Sequence, residues 1–312
     1  MSKHHVNTFG VQFSESAWRD PELRDFIFQD FSSWPSRSYP GPLLITTPHS
    51  GERVPPEAPW LNQLDEKILM YDVDRYVDQL YAPGLRQLQL PWIGTPWHRY
   101  ACDLNRWADD VDVDSVMGAA APSGRFPRGL LWSITTEGHR LMPRPVDRQT
   151  YEALLQRCFH PFHRAVRLAA ARYVAEFPGR PLYQLDLHSM PSVGTKEHRD
   201  PGERRADLVI SDQDGRSCRP ELMDLVESAG QAVGFSVRRN WPYKGGRITE
   251  TYGRPQEGWH CLQIELNRGL YMDEFTKAKI PQRFDEVSRR LGQMLHKIVQ
   301  GLVDQGLYST PT

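Results

Sequence analysis

Short apolar segments alternate with longer amphipathic segments along this chain, and this alternation restricts the folds that it can adopt. Five apolar runs, each bounded by glycine, proline or polar residues, have the length and composition of strands. They lie at 42–47, 181–188, 207–211, 235–239 and 260–266, and residues 90–95 are a further candidate. Apolar residues at helical spacing predict helices at 65–81, 147–176, 220–233 and 273–305, with a kink or break expected at Pro161 and near Pro281. Strands that alternate with helices predict an α/β protein with a mainly parallel, mixed central sheet.

Composition and charge narrow the class of protein further. Lysine and arginine together number 38 and aspartate and glutamate 39, so no net charge favours nucleic acid or a membrane surface as a partner. No apolar run approaches the about 18 residues of a membrane-spanning helix, and the N-terminal residues lack the apolar core of a secretory signal. We therefore expect a cytoplasmic protein. Because no linker, repeat or low-complexity segment divides the chain, we expect a single catalytic domain over residues 1–312.

The cysteines of the chain stand singly, without a C-x-x-C pair. They are Cys102, Cys158, Cys218 and Cys261. This spacing fits neither a disulfide framework nor a cysteine zinc site, so we expect reduced, buried thiols.

Polar residues occur where three of the predicted strands end. His49 follows the first strand, His188 ends the second and Glu265 lies in the last. In open α/β sheets reactive groups gather outside the carboxyl ends of the strands, so we expect these side chains to converge. Two histidines and a carboxylate, with one position open for water, are the ligands of a mononuclear zinc site, and Glu52 completes an H-x-x-E pair with His49. The alternative is that each histidine is only a turn or capping residue.

Glu265 stands inside the apolar run CLQIEL, where a buried carboxylate is costly unless it is paired or hydrogen-bonded. Either a cation such as Arg268 neutralises it in a structural ion pair, or it is a reactive carboxylate. We favour the reactive carboxylate. Asp186, two residues before His188, is either a structural carboxylate or a hydrogen-bond partner of the metal ligand.

Arginines cluster in two further segments. Residues 98–106 contain Arg99, Asn105 and Arg106, and the glycine-rich residues 241–249 contain Arg247. Because arginine binds carboxylates in a planar, bidentate manner, such clusters suit an anionic substrate. The alternative is that these arginines form surface ion pairs.

Motifs spread over most of the chain resemble those of the N-formylglutamate amidohydrolase family in order and spacing. They are PHSG (48–51), DRYVDQLY (74–81), DLNR (103–106), DLHSM (186–190), and GGRITETYGRP with IELNRGLY (within 245–271). The resemblance covers about residues 40–275 and leaves a C-terminal helical stretch at 273–306. The family is similar in turn to the zinc carboxypeptidases. The resemblance thus implies a zinc-carboxypeptidase-like, three-layer α/β/α sandwich with one Zn²⁺ per chain.

The resemblance also implies roles for individual residues. His49 and His188 would bind zinc, and the third ligand would be Glu52 by the carboxypeptidase pattern or Asp74 by the pattern of the formylglutamate family. Glu265 would be the general base. The remaining roles are stabilisation of the oxyanion by Arg99 or Arg106 and substrate binding by Asn105, Arg106, Arg247 and Arg268.

The implied substrate is a small anionic acyl amino acid. The type case is N-formyl-L-glutamate, which is hydrolysed to formate and L-glutamate at the close of one route of histidine degradation. Two rival functions remain open at this point. One is a carboxypeptidase-like peptidase that acts on small acidic peptides, and the other is a protein that binds an acidic ligand without turnover.

Overall fold

Seven strands form one mixed sheet in the computed structural model, which describes residues 20–29, 43–119 and 128–305. In chain order they are β1 (Ile27–Gln29), β2 (Leu43–Thr47), β3 (Trp92–Gly94), β4 (Leu182–Met190), β5 (Leu208–Ser211), β6 (Val237–Arg239) and β7 (Trp259–Asn267). Their order across the sheet is β1-β3-β2-β4-β7-β5-β6. The four central strands β3, β2, β4 and β7 are parallel, whereas β1 is antiparallel to β3 and β5 is antiparallel to β7. The predicted mixed, mainly parallel sheet is confirmed.

Helices cover both faces of this sheet. They are α1 (Glu66–Leu69), α2 (Val77–Gln87), α3 (Arg148–Leu154), α4 (His160–Glu176), α5 (Pro220–Ala232), α6 (Arg247–Tyr252) and α7 (Pro281–Asp304). Helices α2, α5 and α7 share one apolar core with one face of the sheet, and α3, α4 and α6 share a second core with the other face. The three-layer α/β/α arrangement is therefore confirmed.

The two faces of the central strands differ in chemistry. Successive side chains of a strand point to opposite faces, and in β4 Leu185 and Leu187 join the core of α2, α5 and α7. Asp186 and His188 consequently point to the opposite face, on the side of α3 and α4. The parallel pairing of β4 with β7 places Glu265 beside His188. The strand period thus brings these polar side chains together on one face.

The predicted helix at 65–81 is wrong, because residues 70–76 form a loop between α1 and α2. The loop turns inward: the buried carboxylate of Asp72 accepts a hydrogen bond from the hydroxyl of Tyr100 at 2.8 Å. It ends at Tyr76, whose φ of 69° is left-handed and therefore incompatible with a continuing helix. Tertiary contacts of the loop override the local helical pattern.

The break expected near Pro281 is present, but the segment before it is not helical. Residues 273–280 form a turn, in which the carboxylate of Asp273 accepts hydrogen bonds from Phe275 N and Thr276 N, and α7 begins only at Pro281. Pro161 does not end its helix. A turn of π-helix at Leu155–Phe159 joins α3 to α4 directly before this proline, which lacks an N–H to donate.

Two smaller predictions concern cysteines and membrane helices. All four cysteines are buried and unpaired, as expected from their spacing. Within the described residues, every helix is too short or too polar to cross a membrane.

Candidate active site

The carboxyl ends of β2, β4 and β7 border a cavity of about 300 Å³. Most of the side chains selected in the sequence analysis line it, namely His49, Asp74, Arg99, Asn105, Arg106, His188, Glu265 and Arg268. Two others do not: Glu52 and Arg247 lie outside this lining. The expectation that the polar residues at the strand ends converge agrees with this placement.

His49, His188 and Asp74 form a compact buried cluster at the inner end of the cavity. The Nδ1 atoms of the two histidines lie 3.1 Å apart, and Asp74 Oδ2 lies 3.0 Å from His188 Nδ1 and 3.5 Å from His49 Nδ1. All three side chains are nearly inaccessible to solvent. Within the described residues, this is the group of histidine, cysteine and acidic side chains whose spacing could hold a metal ion.

The outer nitrogens of both histidines already have carboxylate acceptors. His49 Nε2 lies 2.6 Å from Asp103 Oδ1, and His188 Nε2 lies 2.8 Å from Asp186 Oδ2. An imidazole that donates its Nε2 proton to a carboxylate presents an unprotonated lone pair at Nδ1. Two such lone pairs and an oxygen of Asp74 therefore face one another, an arrangement that requires a proton or a metal cation between them.

The electrostatics of the cluster agree with this requirement. Burial lowers the pKa of His188, but the negative charges of Asp186 and Asp74 outweigh burial and hold this pKa well above its usual value. The donor separations of 3.0, 3.1 and 3.5 Å also fit a metal. Tetrahedral zinc, with ligands at about 2.0–2.1 Å, spaces its donor atoms by roughly 3.3 Å. Two imidazoles and a carboxylate are a ligand set that open zinc sites use.

Asp74, and not Glu52, is the carboxylate that meets the two histidines. Its backbone N–H donates to the carbonyl oxygen of His49 at 3.0 Å, and its Oδ1 accepts from Arg268 Nη2 at 2.9 Å. These contacts leave Oδ2 directed at the histidines. Glu52 instead forms an ion pair with Arg75, whose Nε lies 3.0 Å from Glu52 Oε1.

Glu265 is a buried carboxylate in the strand next to His188. Its Oε1 accepts one hydrogen bond, from Gln263 Nε2 at 2.8 Å. Among residues 20–29, 43–119 and 128–305, no basic nitrogen lies within 4.0 Å of its oxygens, and Arg268 pairs with Asp74 instead. Burial raises the pKa of Glu265 to about 7, although the nearby charge of His188 opposes this shift. Such a carboxylate is suited to accept and return a proton near neutral pH.

The arginines that line the cavity differ in how many of their hydrogen-bond donors already contact acceptors of the protein. Arg99 donates to Asp72 O at 2.7 Å and to Asp103 Oδ2 at 2.9 Å, but its buried Nε has no acceptor among the described residues. Arg268 donates from all three of its nitrogens, to Ser189 Oγ, to backbone carbonyl oxygens and to Asp74. The contacts of Arg268 therefore position Asp74, and the substrate role expected for this arginine stays a prediction.

Asn105, Arg106 and Arg247 occupy three different settings. Asn105 lines the cavity and accepts a hydrogen bond from Ile248 N at 2.8 Å, which fixes the start of α6. Arg106 also lines the cavity, and its Nε donates to the backbone oxygen of residue 128 at 3.0 Å. Arg247 is buried behind the wall, with its guanidinium stacked 4.8 Å from the ring centroid of Phe159.

Several cavity residues were not selected from the sequence. Arg128, His198 and Tyr243 line the cavity, whereas Asp103 lies outside this lining and accepts hydrogen bonds from His49, Arg99 and Trp132. Asp103 lies inside the DLNR motif, and its position beside a conspicuous Asn-Arg pair was the available signal. Tyr243 lies in the glycine-rich segment 241–249 already noted, whereas the patterns around Arg128 and His198 give no indication of a site.

The fold and the cavity first define a class of protein, an α/β enzyme whose buried carboxylate adjoins a cluster able to hold a metal ion. The family model of N-formylglutamate amidohydrolase matches residues 41–272. The chain therefore belongs to the N-formylglutamate amidohydrolase family and is a hydrolase that acts on an amide.

Two relatives and a solved structure agree with this assignment. The chain is 32% identical to an N-formylglutamate deformylase of Pseudomonas aeruginosa over 234 aligned residues. The aligned residues cover 75% of this chain and 83% of the relative. The chain is 30% identical over 234 residues to an N-formylglutamate deformylase of Pseudomonas putida, with 75% and 82% covered. The crystal structure of an N-formylglutamate amidohydrolase from Ralstonia eutropha superposes with a TM-score of 0.75 at 29% identity, over 85% of this chain and 95% of that one.

Proposed function

We propose that this protein hydrolyses N-formyl-L-glutamate to formate and L-glutamate with the help of one bound zinc ion. The observation that carries the proposal is the position of Glu265 in the same cavity as the His49–Asp74–His188 cluster. Glu265 is a buried carboxylate that forms no ion pair with any described residue. The family assignment and the names of the two deformylase relatives support the same substrate. A cavity of about 300 Å³ suits a small acyl amino acid.

His49, His188 and Asp74 are the residues that would hold the zinc ion. When bound, zinc lowers the pKa of water toward neutrality and polarises the substrate carbonyl. The protein's own contribution begins with Asp103 and Asp186, which hold the Nε2 protons of the two histidines and thereby fix the direction of both Nδ1 lone pairs. This arrangement favours Asp74 over Glu52 as the third ligand.

Glu265 performs the proton transfers in this proposal. It accepts a proton from the attacking water, and it returns that proton to the nitrogen of the departing glutamate as the C–N bond breaks. Its pKa of about 7 suits both steps, since a base with a much lower pKa would be weak and a base with a much higher pKa would stay protonated.

Two further groups bind and polarise the substrate. Arg99, whose Nε has no acceptor among the described residues, donates to the carbonyl oxygen as negative charge develops there. Asn105 and Arg106 contact the amino-acid part of the substrate from the wall of the cavity. In this proposal the reaction closes one route of histidine degradation. The cytoplasmic location expected from the sequence stays a prediction.

The experiment that tests this proposal compares three kinds of substrate on the purified, zinc-loaded protein. N-formyl-L-glutamate, N-acetyl-L-glutamate and short acidic peptides are incubated separately, and formate, acetate and free amino acids are measured. Release of formate from the first substrate, without peptide cleavage, is the expected result. Peptide cleavage would instead indicate a peptidase, and binding without any product would indicate a non-catalytic binding protein.

A further inference from the structure

A dianionic substrate requires cationic side chains whose hydrogen-bond donors are still available. Arg268 has few such donors left, because each of its nitrogens already donates to a protein acceptor. Arg99 uses both Nη atoms on Asp72 and Asp103, and Arg106 uses Nε and Nη1 on backbone oxygens of the wall. Arg99 and Arg106 therefore keep only some of their donors for a ligand.

Arg128 differs from them. Among the described residues, its guanidinium makes one long contact, from Nη1 to the backbone oxygen of Thr135 at 3.4 Å. Within the part of the chain that the structure describes, no carboxylate oxygen lies within 4.0 Å of it, and that includes Glu197, the acidic residue on the same wall. Arg128 lines the cavity, so most of its donors remain available to a ligand there.

The position of Arg128 indicates which part of the substrate it meets. Glu265 and the metal-binding cluster line the catalytic cavity, whereas Arg128 lines both this cavity and an adjoining one of about 650 Å³. It therefore stands at the rim where the two cavities join. Because the formyl group must reach Glu265, the substrate group that is farthest from the scissile amide lies at this rim. In N-formyl-L-glutamate that group is the side-chain carboxylate.

We infer that Arg128 binds the side-chain carboxylate of the substrate and thereby selects acidic over neutral formyl amino acids. This inference rests on the proposed deformylase function. A guanidinium suits the task, since its planar donors can bind both oxygens of a carboxylate at once. Lys196 also lines the adjoining cavity, but it is absent from the lining of the catalytic cavity, whereas Arg128 lines both.

The test compares Arg128→Gln with the wild-type enzyme on three formyl substrates. Glutamine keeps polarity and much of the length of arginine but removes the charge. The first substrate is N-formyl-L-glutamate, the second is N-formyl-L-glutamine, which lacks only the side-chain charge, and the third is the α-amide of N-formyl-L-glutamate, which lacks only the α-carboxylate. Arg148→Gln is the matched control, because Arg148 is exposed and pairs with Glu152 on the surface of α3.

The expected result is a loss of selectivity and not of chemistry. Arg128→Gln should lower kcat/KM for N-formyl-L-glutamate roughly 100-fold, chiefly through KM, as does removal of one partner of a desolvated charge pair. The α-amide should suffer the same relative loss, and N-formyl-L-glutamine should be unaffected. Arg128→Lys should restore part of the activity. The melting temperature of each variant is measured to confirm that it folds.

Three results would overturn the inference. In the first, Arg128→Gln retains full selectivity; in the second, it slows all three substrates equally, which indicates a structural or catalytic role. In the third, the loss appears with N-formyl-L-glutamine but not with the α-amide, which assigns Arg128 to the α-carboxylate. Measurements on the wild-type enzyme distinguish failure of the proposed function. If the wild-type enzyme releases no formate from N-formyl-L-glutamate, the proposed function is wrong, and this inference is wrong with it.

Discussion

Replacement of Glu265 by glutamine separates the catalytic role of this carboxylate from its effect on folding. Glutamine has nearly the same shape, and its side-chain oxygen can still accept the hydrogen bond that Gln263 Nε2 donates at 2.8 Å. The substitution therefore removes charge and basicity but leaves the packing of β7 unchanged. Because the proton transfers lose their base, kcat should fall by roughly 10²–10⁴, which corresponds to about 3–5 kcal/mol of barrier.

The same substitution should stabilise the metal-free protein above neutral pH. Burial raises the pKa of Glu265 from 4.5 to about 7, so the folded protein holds this proton more tightly than the unfolded chain does. Above pH 7 the ionised carboxylate therefore lowers the free energy of unfolding by about 3 kcal/mol, and this cost disappears as the pH falls toward 4.5. Glutamine carries no such cost. A structural Glu265–Arg268 pair predicts the opposite, because removal of one partner of a buried pair destabilises the fold.

The assay combines turnover with thermal unfolding. Formate release is measured with zinc, and melting temperature is measured with EDTA at pH 8 and pH 5. Glu265→Gln should melt roughly 5 °C above wild type at pH 8, and the difference should shrink at pH 5. Glu257→Gln, which alters a surface carboxylate 3.4 Å from Arg254 Nη1, is the control and should change neither quantity appreciably. A folded, zinc-loaded Glu265→Gln enzyme with near wild-type turnover would refute the general-base role. A melting temperature below that of wild type at pH 8 would refute the claim that the ionised Glu265 carboxylate destabilises the fold.

The remaining predictions concern the metal site. The isolated protein should contain about one zinc ion per chain, and chelation should abolish activity. Elemental analysis should find no zinc in His49→Ala or in His188→Ala, because the two remaining protein ligands bind zinc poorly. Asp74→Asn should weaken zinc affinity sharply, whereas Glu52→Gln should leave it intact, and the reverse result in a zinc titration would restore Glu52 as the third ligand. Asp103→Asn should lower zinc affinity about 10–100-fold through the orientation of His49, and an unchanged affinity would show that this contact does not position the ligand.

Much of the architecture was predictable because it depends on local patterns. Apolar runs bounded by turns located the central strands to within a few residues, and the rule for strand ends anticipated that His49, His188 and Glu265 would border one cavity. The short edge strand β1 and the helix α6 escaped prediction, since three to six residues give too little periodicity to recognise.

The details of the site were not predictable for a different reason. Which carboxylate meets the histidines depends on the loop at 70–76, which leaves its helical pattern to place Asp72 and Asp74 inside the protein. The role of each arginine depends on contacts between segments far apart in the chain. One example is the ion pair between Arg268 Nη2 and Asp74 Oδ1, whose atoms lie 2.9 Å apart. A single sequence carries no information about such pairings.

The alternation of side chains along β4 has a practical consequence for engineering this enzyme. Leu185 and Leu187 pack among α2, α5 and α7, while Asp186 and His188, one residue on, belong to the cavity. A comprehensive mutational scan should therefore show effects that alternate from one residue of β4 to the next. Substitutions at one set of positions should change cellular abundance, and substitutions at the other set should change specific activity at normal abundance. Thermostable variants can thus be sought among the buried positions on the side of α2, α5 and α7, where substitutions repack the core without touching the groups that perform the reaction.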